Sequence, residues 1–433
     1  MTLRAILVAM IVGTAPLAAD ANPNVLLIIA DDMGIDASRC YSLGNRQAPM
    51  PNVEAMCARG MVFENAYAAP LCSPTRATIM TGQYGFRTGV GTAIRRRGRT
   101  RGLSADVTSL FDVLATTGYK ANLIGKWHLA GAEATLDHPA ELGVPDYFGL
   151  FRGGTRDYWN WPAVENGEEV WMNEYATTVF TDRAIDWIRA QEGPWFLWLA
   201  YNAPHTPFHL PPAHLHGFDE MPDDPDAIDR NPLPYYQAAL QALDTEIGRL
   251  LAAMPRDVRD NTVVMFIGDN GSPNRVARGL YGEHAAKGTI FEGGTHVPFV
   301  VSGPGVARGR TESFVNTTDL FATIAGYAGV EVQAQDSHDF RPILSGRDGS
   351  REYVYVEHFS DRPSRRRRRR NAFGWALREG PFKLVQVEGS EPRLYDLSKD
   401  PLEAVDLLAD GTSPDEAAIV AGLEARFTQV RAE

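Results

Sequence analysis

Four apolar runs in the chain stop abruptly at polar residues that a core would exclude. Residues 25–30 lead into Asp31 and Asp32, and 121–124 into Gly125-Lys-Trp-His128. Residues 195–200 lead into Tyr201-Asn-Ala-Pro-His205, and 263–267 into Gly268-Asp-Asn-Gly271. Apolar runs without alternation suit strands buried on both faces, as in a helix-covered, largely parallel sheet. Ligands of such sheets bind beyond the carboxyl ends of the strands. Strands ending in Asp, in Lys and His, in His, and in Asp and Asn would therefore share one crevice.

Helices are predicted between these runs. Residues 177–189 set Val179, Ile185 and Ile188 among charges, and 235–254 carry Leu240, Leu243, Ile247, Leu250 and Leu251 at three-to-four spacing. Residues 131–167 are rich in Gly, Pro and Trp without a clear period and read as loops near the crevice. After about Val332 the texture changes, and 353–358, 375–378, 382–387 and 393–397 read as short strands parted by turn residues. The expected fold is α/β: a large mixed, mostly parallel sheet covered by helices over 22–335, plus a small C-terminal antiparallel-sheet domain over 336–433. No internal repeat is visible.

Composition changes this picture little. The 433 residues are 44% hydrophobic and 22% charged, which excludes wholesale disorder. A net charge of −12 argues against a nucleic-acid partner. The basic residues are unevenly spread, however: five arginines fall in 95–101 and seven in 362–370. Six of the latter, 365–370, are consecutive and too self-repelling for a packed element.

Residues 1–20 read as a secretory signal, with Arg4 before an apolar stretch over 5–15 and small residues at Ala18, Ala19 and Ala21 for cleavage. Export to the periplasm or medium is expected. No later segment reaches eighteen apolar residues, so no integral membrane segment is expected in the mature protein. Cys40, Cys57 and Cys72 make an odd count for an exported chain. Were Cys72 consumed by chemistry, Cys40 and Cys57 would remain as a possible pair, which the sequence leaves open.

Asp31 and Asp32 end an apolar strand, and burying both without a counter-charge would cost several kcal/mol. Taken alone they could equally be an N-cap or an exposed turn. With Asp269 and Asn270 they form a hard, all-oxygen set suited to Ca²⁺ or Mg²⁺, with zinc a lesser alternative because His-bearing loops lie nearby. Pro74 suits the first turn of a helix, which puts Cys72 at its N-terminus, where amides and the dipole favour an anion. Arg76, four residues on, shares a face with Cys72 and can hold an anionic oxygen.

The stretches Asn24-Val-Leu-Leu-Ile-Ile-Ala-Asp-Asp-Met-Gly34 and Cys72-Ser-Pro-Thr-Arg-Ala-Thr-Ile-Met-Thr-Gly82 closely resemble the formylglycine-dependent type I sulfatases of the alkaline phosphatase superfamily. Gly125-Lys-Trp-His128, Ala203-Pro-His205, Gly268-Asp-Asn-Gly271 and Lys287-Gly-Thr-Ile-Phe-Glu-Gly-Gly294 continue the resemblance in family order. It implies that a maturation enzyme oxidises Cys72 to Cα-formylglycine, whose hydrate attacks sulfur, expels the alcohol and then collapses to release sulfate. It implies further that Asp31, Asp32, Asp269 and Asn270 ligate Ca²⁺, in preference to Mg²⁺, together with an oxygen at position 72. Arg76 would position the hydrate, Lys126 would neutralise charge on it and on the sulfate, and His128 would be the base. His205 and Lys287 would bind sulfate and protonate the leaving oxygen.

The expected substrate is a sulfated carbohydrate or an aryl sulfate. A phosphonate monoester or phosphodiester hydrolase with the same Cys-x-Pro-x-Arg cassette is the alternative, and a non-catalytic binder of sulfated glycans a remote one. Arg95–Arg101 could line the entrance or be a solvated loop. His209, His214 and His216, in a Pro-rich loop, are expected at the surface or in a substrate loop rather than on a metal. His284 and His296 flank Lys287 and could contact substrate.

Overall fold

The computed structural model describes residues 22–44, 47–95, 100–218, 220–349, 351–360 and 373–432. The signal segment, the consecutive arginines 365–370, and Arg96, Arg97 and Arg99 lie outside the described residues.

Ten strands form the larger sheet: β1 (Asn24–Ala30), β2 (Met61–Tyr67), β3 (Lys120–Gly125), β4 (Tyr147–Gly149), β5 (Trp161–Glu165), β6 (Glu168–Met172), β7 (Trp195–Ala200), β8 (Thr262–Gly268), β9 (Phe299–Ser302) and β10 (Gly309–Asn316). Their order is β10-β2-β9-β8-β1-β7-β3-β4-β5-β6. The run from β8 to β4 is parallel throughout, whereas β9 lies antiparallel to both neighbours and β4-β5-β6 form an antiparallel edge.

The four apolar runs of the sequence are the adjacent strands β8, β1, β7 and β3, in register from Ala30 opposite Gly268 to Gly125 opposite Ala200. Alternate residues of β1 enter different cores. Val25, Leu27 and Ile29 face one layer, and Leu26, Ile28 and Ala30 the other. Burial on both faces explains the unbroken hydrophobicity. The helices Ala176–Arg189 and Pro232–Ala253 pack on the second layer, within a residue or three of their predicted bounds.

One expectation fails. Within 131–167, read as loops, lie β4, all of β5 and a short helix, His138–Glu141. These strands are three and five residues long and carry Gly149 and Pro162, so neither has the length or periodicity to announce itself.

The C-terminal strands form a separate antiparallel sheet in chain order, β11 (Tyr353–His358), β12 (Gly374–Glu379), β13 (Phe382–Val387) and β14 (Arg393–Asp396). The helix Pro414–Ala432 covers one face, with Phe427 stacked on Trp375 at 4.0 Å. The other face packs on Tyr67 and Ile290 of the larger unit. Cys40 and Cys57 are joined by a disulfide, and Cys72 is a free, buried thiol. Among the described residues no helix is long and apolar enough to cross a membrane.

Candidate active site

Ladder hydrogen bonds run just past the strand ends and bring the polar residues side by side. Asp31 N donates to Ala203 O at 3.1 Å, Asp269 N to Ala30 O at 3.1 Å, and Lys126 N to Ala200 O at 2.8 Å. Above these ends starts the helix Cys72–Thr81, buried along its whole length. Its first residue presents Sγ to the crevice and its fifth, Arg76, reaches down to the strands. Asp32, at φ 70°, and His128, at φ 57°, adopt left-handed backbone where the chain turns out of β1 and β3.

The side chains interlock. Arg76 donates from Nη1 to Lys126 O at 2.7 Å and from Nη2 to Asp269 Oδ2 at 2.9 Å. Lys126 pairs with Asp31. Lys287 Nζ lies 2.6 Å from Asp32 Oδ2, and His205 Nε2 lies 3.8 Å from the same oxygen. Asn270 Nδ2 donates to Asp32 Oδ1 at 2.8 Å, and Asp32 N to Asp269 Oδ1 at 3.0 Å. Cys72 Sγ sits 3.1 Å from His128 Nδ1, while Nε2 of that ring is 2.8 Å from the Ile94 carbonyl. All ten residues singled out in the sequence thus meet in one cluster.

Three buried acids face three cations one for one: Asp269 meets Arg76, Asp31 meets Lys126 and Asp32 meets Lys287. Burial and the nearby Asp269 hold Asp31 well above the usual carboxylate range, against the pull of Lys126. Burial would also raise Asp32, but Lys287, His205 and Lys126 together bring it below its ordinary value. Burial, then Lys126, push His128 well below an ordinary histidine, so its ring is neutral. A carbonyl can only accept, so Nε2 carries the proton and Nδ1 turns its lone pair to Cys72. Burial likewise depresses His205, against the opposing charge of Asp32. Its Nδ1, 2.7 Å from Thr206 O, is the protonated nitrogen in the neutral ring.

Two buried oxygens of this cluster, Asp31 Oδ1 and Asn270 Oδ1, have no hydrogen-bond partner. Leaving such acceptors bare costs about 1–3 kcal/mol each, which a cation would relieve. Possible ligand atoms of Asp31, Asp32 and His205 lie within 4.8 Å of one another. The donors therefore fit a hard metal ion.

The family model described as Sulfatase matches residues 23–330. The chain belongs to the sulfatase family. A further model, described as N-sulphoglucosamine sulphohydrolase, C-terminal, matches residues 282–433 of this sulfatase. N-acetylgalactosamine-6-sulfatase of Sus scrofa is 30% identical over 376 residues, 77% of this chain and 68% of the relative. Arylsulfatase A of Homo sapiens is 28% identical over 475 residues, 95% and 88% of the two chains. The solved structure of Ps i-CgsB shares the fold with a TM-score of 0.80 at 25% identity, covering 94% of this chain and 92% of that one. The sulfatase is accordingly a sulfuric ester hydrolase.

Other histidines of the sulfatase are spent on structure. His209 bonds Tyr175 Oη at 3.0 Å and the Pro207 carbonyl at 2.9 Å, and His216 bonds the Pro211 carbonyl at 3.1 Å. His296 lies 2.7 Å from Glu64 O and 2.9 Å from Glu292, and His284 bonds Glu403 O. Substrate contact through His296 is thus not what its ring nitrogens serve. The sequence reading missed Gly153 and Gly154, which the loop after β4 lays against His128 and His205. A Cβ at 153 would fall 2.6 Å from His128 Nε2, and one at 154 would fall 3.4 Å from His205 Cε1. Their only signal was a Gly-Gly pair inside an unpatterned stretch.

Proposed function

We propose that this sulfatase hydrolyses sulfate esters of a carbohydrate, using a formylglycine made from Cys72 and a bound Ca²⁺. The observation that carries the reading is the placement of Cys72 Sγ at a helix N-terminus, 3.1 Å from the lone-pair nitrogen of His128 and above Arg76 and Lys126. Converted by a maturation enzyme, residue 72 would supply a hydrated aldehyde, a nucleophile able to release its covalent sulfate by re-forming the carbonyl. Ca²⁺, held by Asp31, Asp32, Asp269 and Asn270, would supply positive charge against the sulfate oxygens.

The protein's own groups do the rest. Arg76 and Lys126 hold the nucleophilic oxygens from below, and neutral His128 takes a proton at Nδ1. Lys287, kept charged by Asp32 although burial opposes it, binds the anionic group. His205 faces the same space with Nε2. An anionic ester there would draw that ring toward protonation, the state in which Nε2–H can be given to the leaving oxygen. Buried Tyr158 donates from Oη to Asn202 O at 2.9 Å and to His205 O at 2.7 Å, which fixes the backbone that carries His205.

A carbohydrate substrate is favoured by the relative named for N-acetylgalactosamine 6-sulfate and by Ps i-CgsB, which has been solved in complex with k-i-k-neocarrahexaose. The Cys40–Cys57 bridge supports export, since such bonds persist in oxidising compartments. A functional boundary near residue 335 fits the change from the larger sheet to the smaller one.

The test is free sulfate released from a panel of sulfated glycans, oligosaccharides and aryl sulfates, by protein co-expressed with a maturation enzyme, with Cys72→Ala as the blank. Release from sulfated sugars by the matured enzyme, absent in Cys72→Ala, is the expected result. Equal release by Cys72→Ala would overturn the nucleophile, and release from aryl sulfates alone would overturn the carbohydrate.

A further inference from the structure

Lys287 reaches the crevice from a loop that the C-terminal half of the chain clamps at both stems. The loop leaves the short helix Gly282–His284 and enters the helix Glu292–Thr295. At the first stem His284 Nε2 bonds the Glu403 carbonyl at 2.7 Å, and its ring stacks on Phe291 at 4.1 Å. At the second, Glu292 N donates to Glu403 Oε2 at 2.6 Å. One residue, Glu403, therefore ties together the two ends of the segment that carries Lys287.

Glu403 is itself held by a buried ion network. Lys383 of β13 lies 2.7 Å from Glu292 Oε1 and 2.9 Å from Glu403 Oε1. The three side chains are 3%, 1% and 1% exposed for Glu292, Lys383 and Glu403, so neither carboxylate has solvent as an alternative partner. Glu292 Oε2 accepts a further hydrogen bond from Tyr67 Oη at 2.9 Å and lies 2.9 Å from His296 Nδ1. Glu403 adopts φ 58°, a backbone region that costs a non-glycine residue energy and persists only where the surroundings enforce it. Between the stems the loop is fastened to the nucleophile side of the site. Gly288 N donates to Pro70 O at 2.9 Å, two residues before Cys72, and Lys287 N to Ser272 O at 3.2 Å.

We propose that Glu403, with Lys383, is a positioning residue for Lys287. The smaller sheet would then set where the Lys287 ammonium stands relative to Asp32 and the sulfate. A buried acid–base–acid set suits this task because its geometry is discrete, and moving one member strands the charge of another. This inference rests on the reading of Lys287 as a sulfate-binding residue.

The test is a double-mutant cycle on the panel substrate from which the wild type releases sulfate fastest. Glu403→Ala, Lys287→Ala and the double variant are compared in kcat/KM, with folding checked by circular dichroism and thermal unfolding. Glu403→Ala is expected to lose roughly 10–100-fold, as outer partners of a reactive centre do. In the Lys287→Ala background the same change should cost no more than about threefold, because coupled residues are non-additive. Glu403→Gln keeps an acceptor for Glu292 N and should recover most of the loss. Should Glu403→Ala not fold, His284→Ala, which frees the first stem from the Glu403 carbonyl, carries the cycle with the same expected outcomes. A folded Glu403→Ala enzyme at the wild-type rate, or a loss of equal size in both backgrounds, would overturn the proposal. Wild-type activity in Lys287→Ala would instead overturn the reading of Lys287 itself.

Discussion

Cys72 Sγ lies 3.1 Å from Nδ1 of His128, and the same ring gives its Nε2 proton to the Ile94 carbonyl at 2.8 Å. The backbone of residue 94 thus decides which nitrogen of His128 is free to act at position 72. Burial and Lys126 keep that nitrogen unprotonated. We expect His128→Asn to lower kcat by about 100- to 10,000-fold, the usual worth of a general base, with KM little changed. Steady-state sulfate release measures both, and an unaltered kcat would remove His128 from the chemistry.

Gly153 and Gly154 make a sharper contrast than their adjacency suggests. A Cβ at 153 would sit 2.6 Å from His128 Nε2, inside contact distance of a ring already held on two sides, whereas at 154 it would meet His205 at 3.4 Å. Gly153→Ala should therefore cost at least about tenfold in kcat, since misplacing a catalytic group by about 1 Å is worth 100-fold. Gly154→Ala should act on KM by less than about threefold, because its contact needs little yielding. Kinetics on the two purified variants checks the order.

Metal binding has a readout that needs no turnover. Asp31 Oδ1 and Asn270 Oδ1 lack partners, and three carboxylates crowd one end of the sheet. After exhaustive chelation, added Ca²⁺ should raise the unfolding temperature, by about 2.7 kcal/mol of stability at 100 times its Kd. Asp31→Asn should blunt that shift. A melting curve of wild type indifferent to millimolar Ca²⁺ would contradict the assignment.

Glu357 gives a pH prediction remote from the site. Its carboxylate is buried between Phe86 N, at 2.7 Å, and Tyr355 Oη, at 3.0 Å, with Arg431 3.3 Å away. Burial lifts its pKa from 4.5 to about 7, more than these partners lower it. The folded state then binds the proton more tightly than the unfolded one, so this group's contribution is full below pH 4.5 and lost as pH rises through 7. Glu357→Gln should leave stability unchanged near pH 4 and raise it at pH 8, by roughly 2–3 kcal/mol. Urea unfolding at the two pH values tests the sign, and a variant less stable than wild type at pH 8 would refute it.

Much of the site was legible because each of its strands is buried on both faces. The unbroken apolar run 263–267, within β8, leads into Gly268, Asp269 and Asn270 because the chain there reaches the open end of the sheet. β4 and β5 were not legible, since an edge of three and five residues is held by its neighbours rather than by its own pattern. The antiparallel placement of β9 was equally silent, because its four residues, Phe299–Ser302, read the same in either direction.

The sequence by itself determined the strand ends with their polar residues and the helix start at Cys72, which follow from local periodicity, and Lys287 joined that set through the resemblance to the sulfatases. Tertiary structure alone decided the tautomer of His128, the joining of Cys40 to Cys57, and the burial of Lys383 between Glu292 and Glu403. Each of these depends on a partner far along the chain. Position 383 is 91 residues from Glu292, and on β13 it opens a run of three buried residues, Lys383, Leu384 and Val385, with no alternation to single it out. No local pattern encodes which distant charge a buried lysine will face, because only the docking of one sheet on the other removes the water that would otherwise be its partner.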